Sequence, residues 1–161
     1  MREYSISTPL GLWRATFSDL GLRELRLPSP STAPSSPRLR VRGAAALQRL
    51  ALRTLNRRLN GERVDLPWAC FDLQDQPPFY LRVWKALYAI PFGEVRSYAQ
   101  IASAAGSPRA ARAVGQACGA NPIVLFIPCH RAVATNGPGG FGAGLAWKRR
   151  LLQLEGYALG G

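Results

Sequence analysis

Pro77-Pro78 marks the point at which this chain changes the kind of structure it can form. Neither proline donates a backbone hydrogen bond, and each pushes the residue before it toward extended geometry, so the pair is the natural hinge between two parts. Before it, apolar side chains alternate with a period of two; after it, they recur at helical spacing. Tyr4-Ser5-Ile6-Ser7 and residues 12–17 alternate, with Pro9 and Gly11 turning between them, and Ser18–Gly21 can turn the chain again into residues 22–27. A small antiparallel sheet over residues 2–27 follows. Residues 28–37 hold four prolines and read as a loop. A helix is predicted over Ala44–Leu59, with Leu52, Leu55 and Leu59 on one side and Arg49, Arg53 and Arg57 on another, stopped by Gly61. Residues 64–73 read as a short extended piece. The expected division is residues 1–76 and residues 77–161.

Beyond the hinge, Phe79, Val83, Ala86, Leu87 and Ile90 share a helical stripe that Pro91-Phe92-Gly93 ends. Ser97-Tyr98-Ala99-Gln100 has the spacing of a capping box, so a helix should begin at Tyr98 and run to Gly106. Ser107-Pro108 offers a cap and first-turn proline for a second helix, ending near Cys118. Two short helices across a tight turn make a helix-turn-helix candidate. In the second helix, Ala111, Val114, Gly115 and Cys118 form the expected core stripe. Arg109, Arg112 and Gln116, types that touch phosphates and bases, form the other. An ordinary amphipathic surface helix fits the same pattern. Residues 123–127 are all apolar and read as a buried strand. A glycine-rich loop, residues 137–144, leads to a final helix from about Leu145 to Glu155.

The chain carries a formal charge of +12 over 161 residues. Residues 76–161 hold nine basic side chains and only two acidic ones, Glu94 and Glu155. A polyanionic partner fits this balance, although 19 of the 21 basic residues are arginine and a solvated basic surface fits it too. No apolar run is long enough to span a membrane, and the polar start at Met1-Arg2-Glu3 does not read as a signal peptide. The expectation is a cytoplasmic protein. Three cysteines, Cys70, Cys118 and Cys129, without paired spacing do not make a disulfide framework, and one histidine without a C-x-x-C pair does not make a zinc site.

A cysteine after an apolar strand is commonly inert core. Cys129 differs in three respects. Pro128 places it at a turn; His130, the one histidine, is its neighbour; and its basic surroundings favour thiolate over thiol. A reactive cysteine is expected.

Pro128-Cys129-His130-Arg131 resembles the active-site signature of the O6-alkylguanine-DNA alkyltransferases, the methylated-DNA–protein-cysteine methyltransferases. The resemblance extends from about Phe79 to Gly156, through residues 90–94, Ser97-Tyr98, residues 112–115, Asn121-Pro122, Gly144-Leu145 and residues 154–156. Residues 1–75 match in outline only. The resemblance implies an α+β fold: a small ribonuclease-H-like N-terminal α/β domain, then a mostly helical, winged-helix-like C-terminal domain with the helix-turn-helix. It implies direct-reversal DNA repair, with the alkyl group of O6-alkylguanine, and of O4-alkylthymine, moved irreversibly to Cys129 in a single turnover without metal or organic cofactor.

By the same resemblance, His130 draws the thiol proton through a water, Glu155 orients the imidazole, Tyr98 protonates the leaving guanine and Asn121 braces the loop. Double-stranded DNA is met through the minor groove by Arg112, Tyr98, Ala110, Ala111, Arg109, Gln116 and Arg131, with Arg112 filling the space of the flipped base. Cys118, Ala132, Phe141, Gly142 and Lys148 line the pocket. A monomer, cooperative on DNA, is implied, with no membrane partner. Ala132 stands where valine is usual and Phe141 where tyrosine is common, the loop from Cys129 to Phe141 is about one residue short, and Gly142 offers a backbone N–H but no hydroxyl. A non-catalytic relative that binds alkylated guanine would carry tryptophan in place of Cys129. A transcription regulator would leave the Pro-Cys-His-Arg run unexplained. A cysteine hydrolase would turn over, and no oxyanion-hole motif is recognisable.

Overall fold

The computed structural model describes residues 1–29 and 46–160. Most of the expected loop at 28–37 and the first two residues of the expected helix at Ala44 lie outside them. The architecture is α+β, as expected, and the chain divides into two compact units: Met1–Leu73 with Pro122–Val124, and Gln74–Asn121 with Leu125–Gly161. Among the described residues no helix is long and apolar enough to cross a membrane.

In the first unit, β1 (Arg2–Thr8), β2 (Gly11–Phe17) and β3 (Leu22–Arg26) form an antiparallel sheet in that order. Ile6 faces Trp13 across the first pair, and Ile6, Trp13, Ala15, Phe17, Leu22 and Leu25 are buried. This is the period-two pattern of a sheet with one covered face. Ser18 closes the second turn, its N–H donating to the Gly21 carbonyl at 2.9 Å. Helix α1 (Ala46–Leu59) buries Leu52, Leu55 and Leu59 as expected and exposes Arg49, Arg53 and Arg57. Arg58, also inside, is held by Asp65 at 3.1 Å.

The expected extended piece at 64–73 is broken by a 3-10 turn at Trp68–Cys70. Phe71 then bridges Leu22 in parallel, and the Asp72 N–H donates to the Leu22 carbonyl at 2.9 Å. Ile123 makes a similar parallel bridge to Leu25, flanked by bonds between Leu25 N–H and Pro122 O (2.8 Å) and between Val124 N–H and Leu25 O (3.1 Å).

The expected strand at 123–127 is therefore not a strand. Ile123, Val124 and Ile127 are isolated bridge positions, and the backbone turns between them at Leu125, whose φ is 79°. A buried leucine in the left-handed region is unusual, since its Cβ crowds the carbonyl there.

The second unit begins its helices with α2 (Pro78–Tyr88), where Pro78 occupies the first turn, a position whose N–H needs no partner. Val83, Trp84 and Leu87 are buried, and the Trp84 indole donates to the Ala117 carbonyl at 2.8 Å. Ser97 caps α3 (Tyr98–Ala104) with both bonds of the capping box: Gln100 N–H to Ser97 Oγ at 3.1 Å, and Ser97 N–H to Gln100 Oε1 at 2.8 Å. Helix α4 (Ala111–Gly119) starts later than expected. Ser107 is not its cap; the Ala110 N–H closes a turn onto the Ser107 carbonyl, and Arg109 precedes the helix. Its buried stripe is Val114 and Ala117, whereas Ala111, Gly115 and Cys118 are half-buried.

Two short strands, β4 (Arg96–Ser97) and β5 (Ala132–Val133), pair in parallel, with Arg96 opposite Ala132 and Ser97 opposite Val133. Helix α5 (Leu145–Leu154) closes the unit, burying Lys148, Leu151 and Leu152. Because Ser97 both pairs in β4 and caps α3, Ser97→Ala should cost about 1 kcal/mol. A lower denaturant midpoint with an unchanged m-value would report it.

Candidate active site

Cys129 enters the site from an inverse γ-turn. Pro128 has φ −83° and ψ 66°, and the Cys129 N–H donates to the Ile127 carbonyl at 2.8 Å. The proline ring fixes φ near that value, so the turn is built into the chemistry of the residue before the thiol. Cys129, His130 and Arg131 then form a 3-10 turn in which all three are buried. The Asn121 amide donates to the Ile127 carbonyl at 2.7 Å, bracing the segment just before the cysteine.

Glu155, the residue that closes α5, gathers the site. Its Oε1 lies 2.8 Å from His130 Nε2 and accepts from Arg131 Nη2 at 2.8 Å. Its Oε2 accepts from Arg131 Nε at 2.9 Å and from the Gly93 N–H at 3.4 Å. Burial pushes this carboxyl up, but hydrogen bonds from His130 and Arg131, with their charges, outweigh it and hold it at about 2.

Arg131 was expected to face DNA, and that assignment is corrected: the residue is 2% exposed. Its guanidinium bridges Glu155, donates through Nη1 to the Ile90 carbonyl at 2.6 Å and lies 5.8 Å over the Phe92 ring.

The expectation that basic surroundings favour thiolate over thiol at Cys129 is also corrected. Burial raises the Cys129 thiol, and the opposing influences of the Asn121 hydrogen bond, the Lys148 charge and the backbone N–H groups of Cys129 and His130 do not reverse it. A basic neighbourhood lowers a thiol only where the charge outweighs lost hydration. Cys129 rests protonated and needs a base. Cys118, half-buried on α4, is pushed up to about 12 by burial and by the nearby Cys129, against the pull of Lys148.

Lys148 is wholly buried, donating to the carbonyls of Ala132 (2.5 Å) and Gly140 (3.0 Å), with its Nζ 5.9 Å over the Tyr98 ring. Burial lowers it, against the pull of the two cysteines. Tyr98, the first residue of α3, donates its hydroxyl to Gly140 O at 3.4 Å. Burial raises it, helped by the nearby Cys118 and Cys129 and opposed by the Gly140 bond, so it rests as a phenol.

The glycine loop fits closely against that ring. Gly139 has φ +70°, and a Cβ there would stand 2.7 Å from the Tyr98 hydroxyl. Ala132 is buried, Phe141 half-buried and Gly142 exposed with open space around it. Arg109, Arg112 and Gln116 are exposed, while Ala110 and Ala111 are half-buried. The buried roles of Arg131 and Lys148 carry no local sequence signal, because a basic residue in a basic stretch reads as surface.

A buried thiol beside an imidazole–carboxylate pair, in a unit whose helix-turn-helix exposes arginines, defines a cysteine-nucleophile protein built for a polyanion. The family described as 6-O-methylguanine DNA methyltransferase, DNA binding domain, matches residues 78–157. A methylated-DNA–protein-cysteine methyltransferase of Mycolicibacterium paratuberculosis is 39% identical over 157 residues, covering 96% of this chain and 93% of that protein. One from Mycobacterium tuberculosis is 55% identical over 78 residues, 48% of this chain; the chain spans about half the length of this and similar curated relatives, 47% in this case. The crystal structure of Mycobacterium tuberculosis OGT in complex with DNA superposes with a TM-score of 0.77 at 38% identity, covering 96% of this chain and 92% of that one. The chain belongs to the methylated-DNA–protein-cysteine methyltransferase family.

Glu155 also sets an acid limit. Its folded-state value of about 2 lies below the ordinary carboxylate value of 4.5, so the stabilisation is complete above pH 4.5 and is lost as the pH falls through about 2. In acid titrations of thermal stability, Glu155→Gln should be less stable than the native chain at neutral pH, with the gap closing in that window.

Proposed function

We propose that this protein repairs DNA by direct reversal, transferring the alkyl group of O6-alkylguanine, and of O4-alkylthymine, to Cys129 once and irreversibly. The observation that carries the reading is the pairing of a buried, protonated thiol with the neighbouring imidazole whose Nε2 is held 2.8 Å from Glu155 Oε1. A thiol in that state is unreactive until a base removes its proton, and His130 is the base at hand. Family membership along the whole chain supports the substrate class.

His130 takes the Cys129 proton through a water, by way of Nδ1, while Glu155 stabilises the resulting imidazolium. The thiolate attacks the alkyl carbon as the bond from carbon to O6 breaks, and the electron pair moves into guanine. Tyr98, resting as a phenol, supplies the proton that makes guanine a competent leaving group. It regains one from solvent as His130 releases its own. The sum exchanges the thiol hydrogen for the alkyl group. The thioether offers water no leaving group, so each molecule acts once.

The base reaches the thiol by rotating out of the duplex. The exposed residues of α4 and the turn before it suit a minor-groove contact: Arg112 takes the place of the flipped base, Arg109 and Gln116 meet the backbone, and Ala110 and Ala111 let the helix come close. Cys118, Ala132, Phe141, Gly142 and Lys148 surround the base, with Asn121 holding the cysteine turn. The protein works as a cytoplasmic monomer.

Duplex DNA carrying a labelled methyl group on guanine O6 tests this reading. Label should move to protein, saturate at one equivalent and fail to move with Cys129→Ala. Tight binding with label left on DNA would instead mark a non-catalytic damage reader, and turnover beyond one equivalent would overturn the single-use mechanism. Arg112→Ala should slow repair of duplex DNA more than reaction with free O6-benzylguanine; equal losses would remove Arg112 from base flipping.

A further inference from the structure

One buried charge in the site is not used by the expected triad. Arg131 follows His130 directly in the chain, yet its side chain turns inward. It takes both oxygens of Glu155, through Nη2 at 2.8 Å and Nε at 2.9 Å, and is fixed from behind by the Ile90 carbonyl at 2.6 Å. Glu155 Oε1 therefore serves His130 and Arg131 together.

We propose that Arg131 is a positioning residue for the candidate base, acting through Glu155: its permanent charge neutralises the carboxylate, so His130 rests as a neutral imidazole able to accept the thiol proton. The inference rests on the proposed role of His130 and deepens it.

A buried carboxylate must have a counter-charge. Left with an imidazole alone, it would draw a proton onto that ring, and an imidazolium cannot take another from Cys129. Arginine remains charged throughout the accessible pH range, and its planar fork matches a carboxylate. With Arg131 in place the guanidinium–carboxylate pair is neutral, and the Glu155 lone pair that meets His130 Nε2 orients the ring without demanding that it be charged.

The charged and titratable groups around the pair are few. The 3-10 turn contributes Cys129 and Arg131, and α5 with its cap contributes Glu155 and, seven residues earlier, Lys148 bound to the Ala132 and Gly140 carbonyls. Helix α2 and the turn after it approach with the Ile90 carbonyl, the Gly93 N–H and the Phe92 ring. The cations of α2, Arg82 and Lys85, are exposed, and Glu94 pairs with Arg96 at the surface. Arg131 is thus the counter-charge in direct contact with Glu155.

His130 is the one histidine in the chain, so its ring signals in an NMR spectrum report this site alone. The experiment follows those signals against pH in the full-length resting protein, without substrate. The native chain should show neutral imidazole at pH 7. In Arg131→Gln the imidazolium-to-imidazole ratio at pH 7 should rise about tenfold or more. Arg131→Lys, which keeps the charge, should stay neutral, and so should Arg131→Gln combined with Glu155→Gln, which removes both charges.

The rate of reaction with free O6-benzylguanine in Arg131→Gln should fall at pH 7 and recover as the pH is raised, a response that a purely structural brace would not give. An unchanged imidazolium fraction in folded Arg131→Gln would overturn the proposal. Should that variant not fold, imidazolium in Arg131→Lys or in the double variant would do the same. Because protonation is read without DNA, its outcome is separate from that of the label-transfer assay.

Discussion

A carboxylate taken out of water needs a donor for each lone pair it turns inward, and at Glu155 those donors come from two stretches of chain. His130 and Arg131 belong to the turn that carries the thiol, Gly93 to the turn after α2, and Glu155 itself to the end of α5. One ionised side chain thereby fixes the distance between the cysteine turn and two helices. The donors that hold the carboxylate well below its usual range also prevent it from serving as a proton store. It remains an acceptor, bonded to His130 and Arg131.

The reactivity of Cys129 reads differently in that light. Desolvation protects the thiol from chance reaction, since thiolate is the nucleophilic form and burial disfavours it. In the proposed mechanism, activation then depends on a proton leaving to His130 when a substrate is present. A group meant to react once gains from this arrangement, because premature alkylation or oxidation would consume the whole molecule. Tyr98, half-buried, likewise rests with its proton in place, as a phenol.

How far the sequence disclosed this depends on whether the deciding physics was local. The capping box at Ser97 and Gln100 was legible because both bonds lie within four residues, and the alternation in β1 and β2 was legible because a half-buried sheet repeats every second residue. The strand expected at 123–127 failed at Leu125, where the chain turns through a left-handed residue without the glycine that usually signals it. The buried stripe of α4 is Val114 and Ala117, and Trp84, whose indole donates to the Ala117 carbonyl, lay outside the stripe expected on α2. Arg131, Lys148 and the state of Cys129 were misread or left undefined for one reason: burial sets what a charge does, and burial comes from residues distant in sequence.

That same correction redistributes the basic charge of residues 76–161. Arg131 is spent inside on Glu155, Lys148 is enclosed by the Ala132 and Gly140 carbonyls, and Arg96 pairs with Glu94. Arg82, Lys85, Arg109, Arg112, Arg149 and Arg150 are exposed, distributed over α2, α5 and the α4 region. Phosphate binding scales with the cations that can reach a backbone and release its counterions, so net charge overstates the count that matters. Within the second unit the cations divide by depth. Those in the interior are bound to Glu155 and to backbone carbonyls, and those at the surface are the ones able to meet a polyanion.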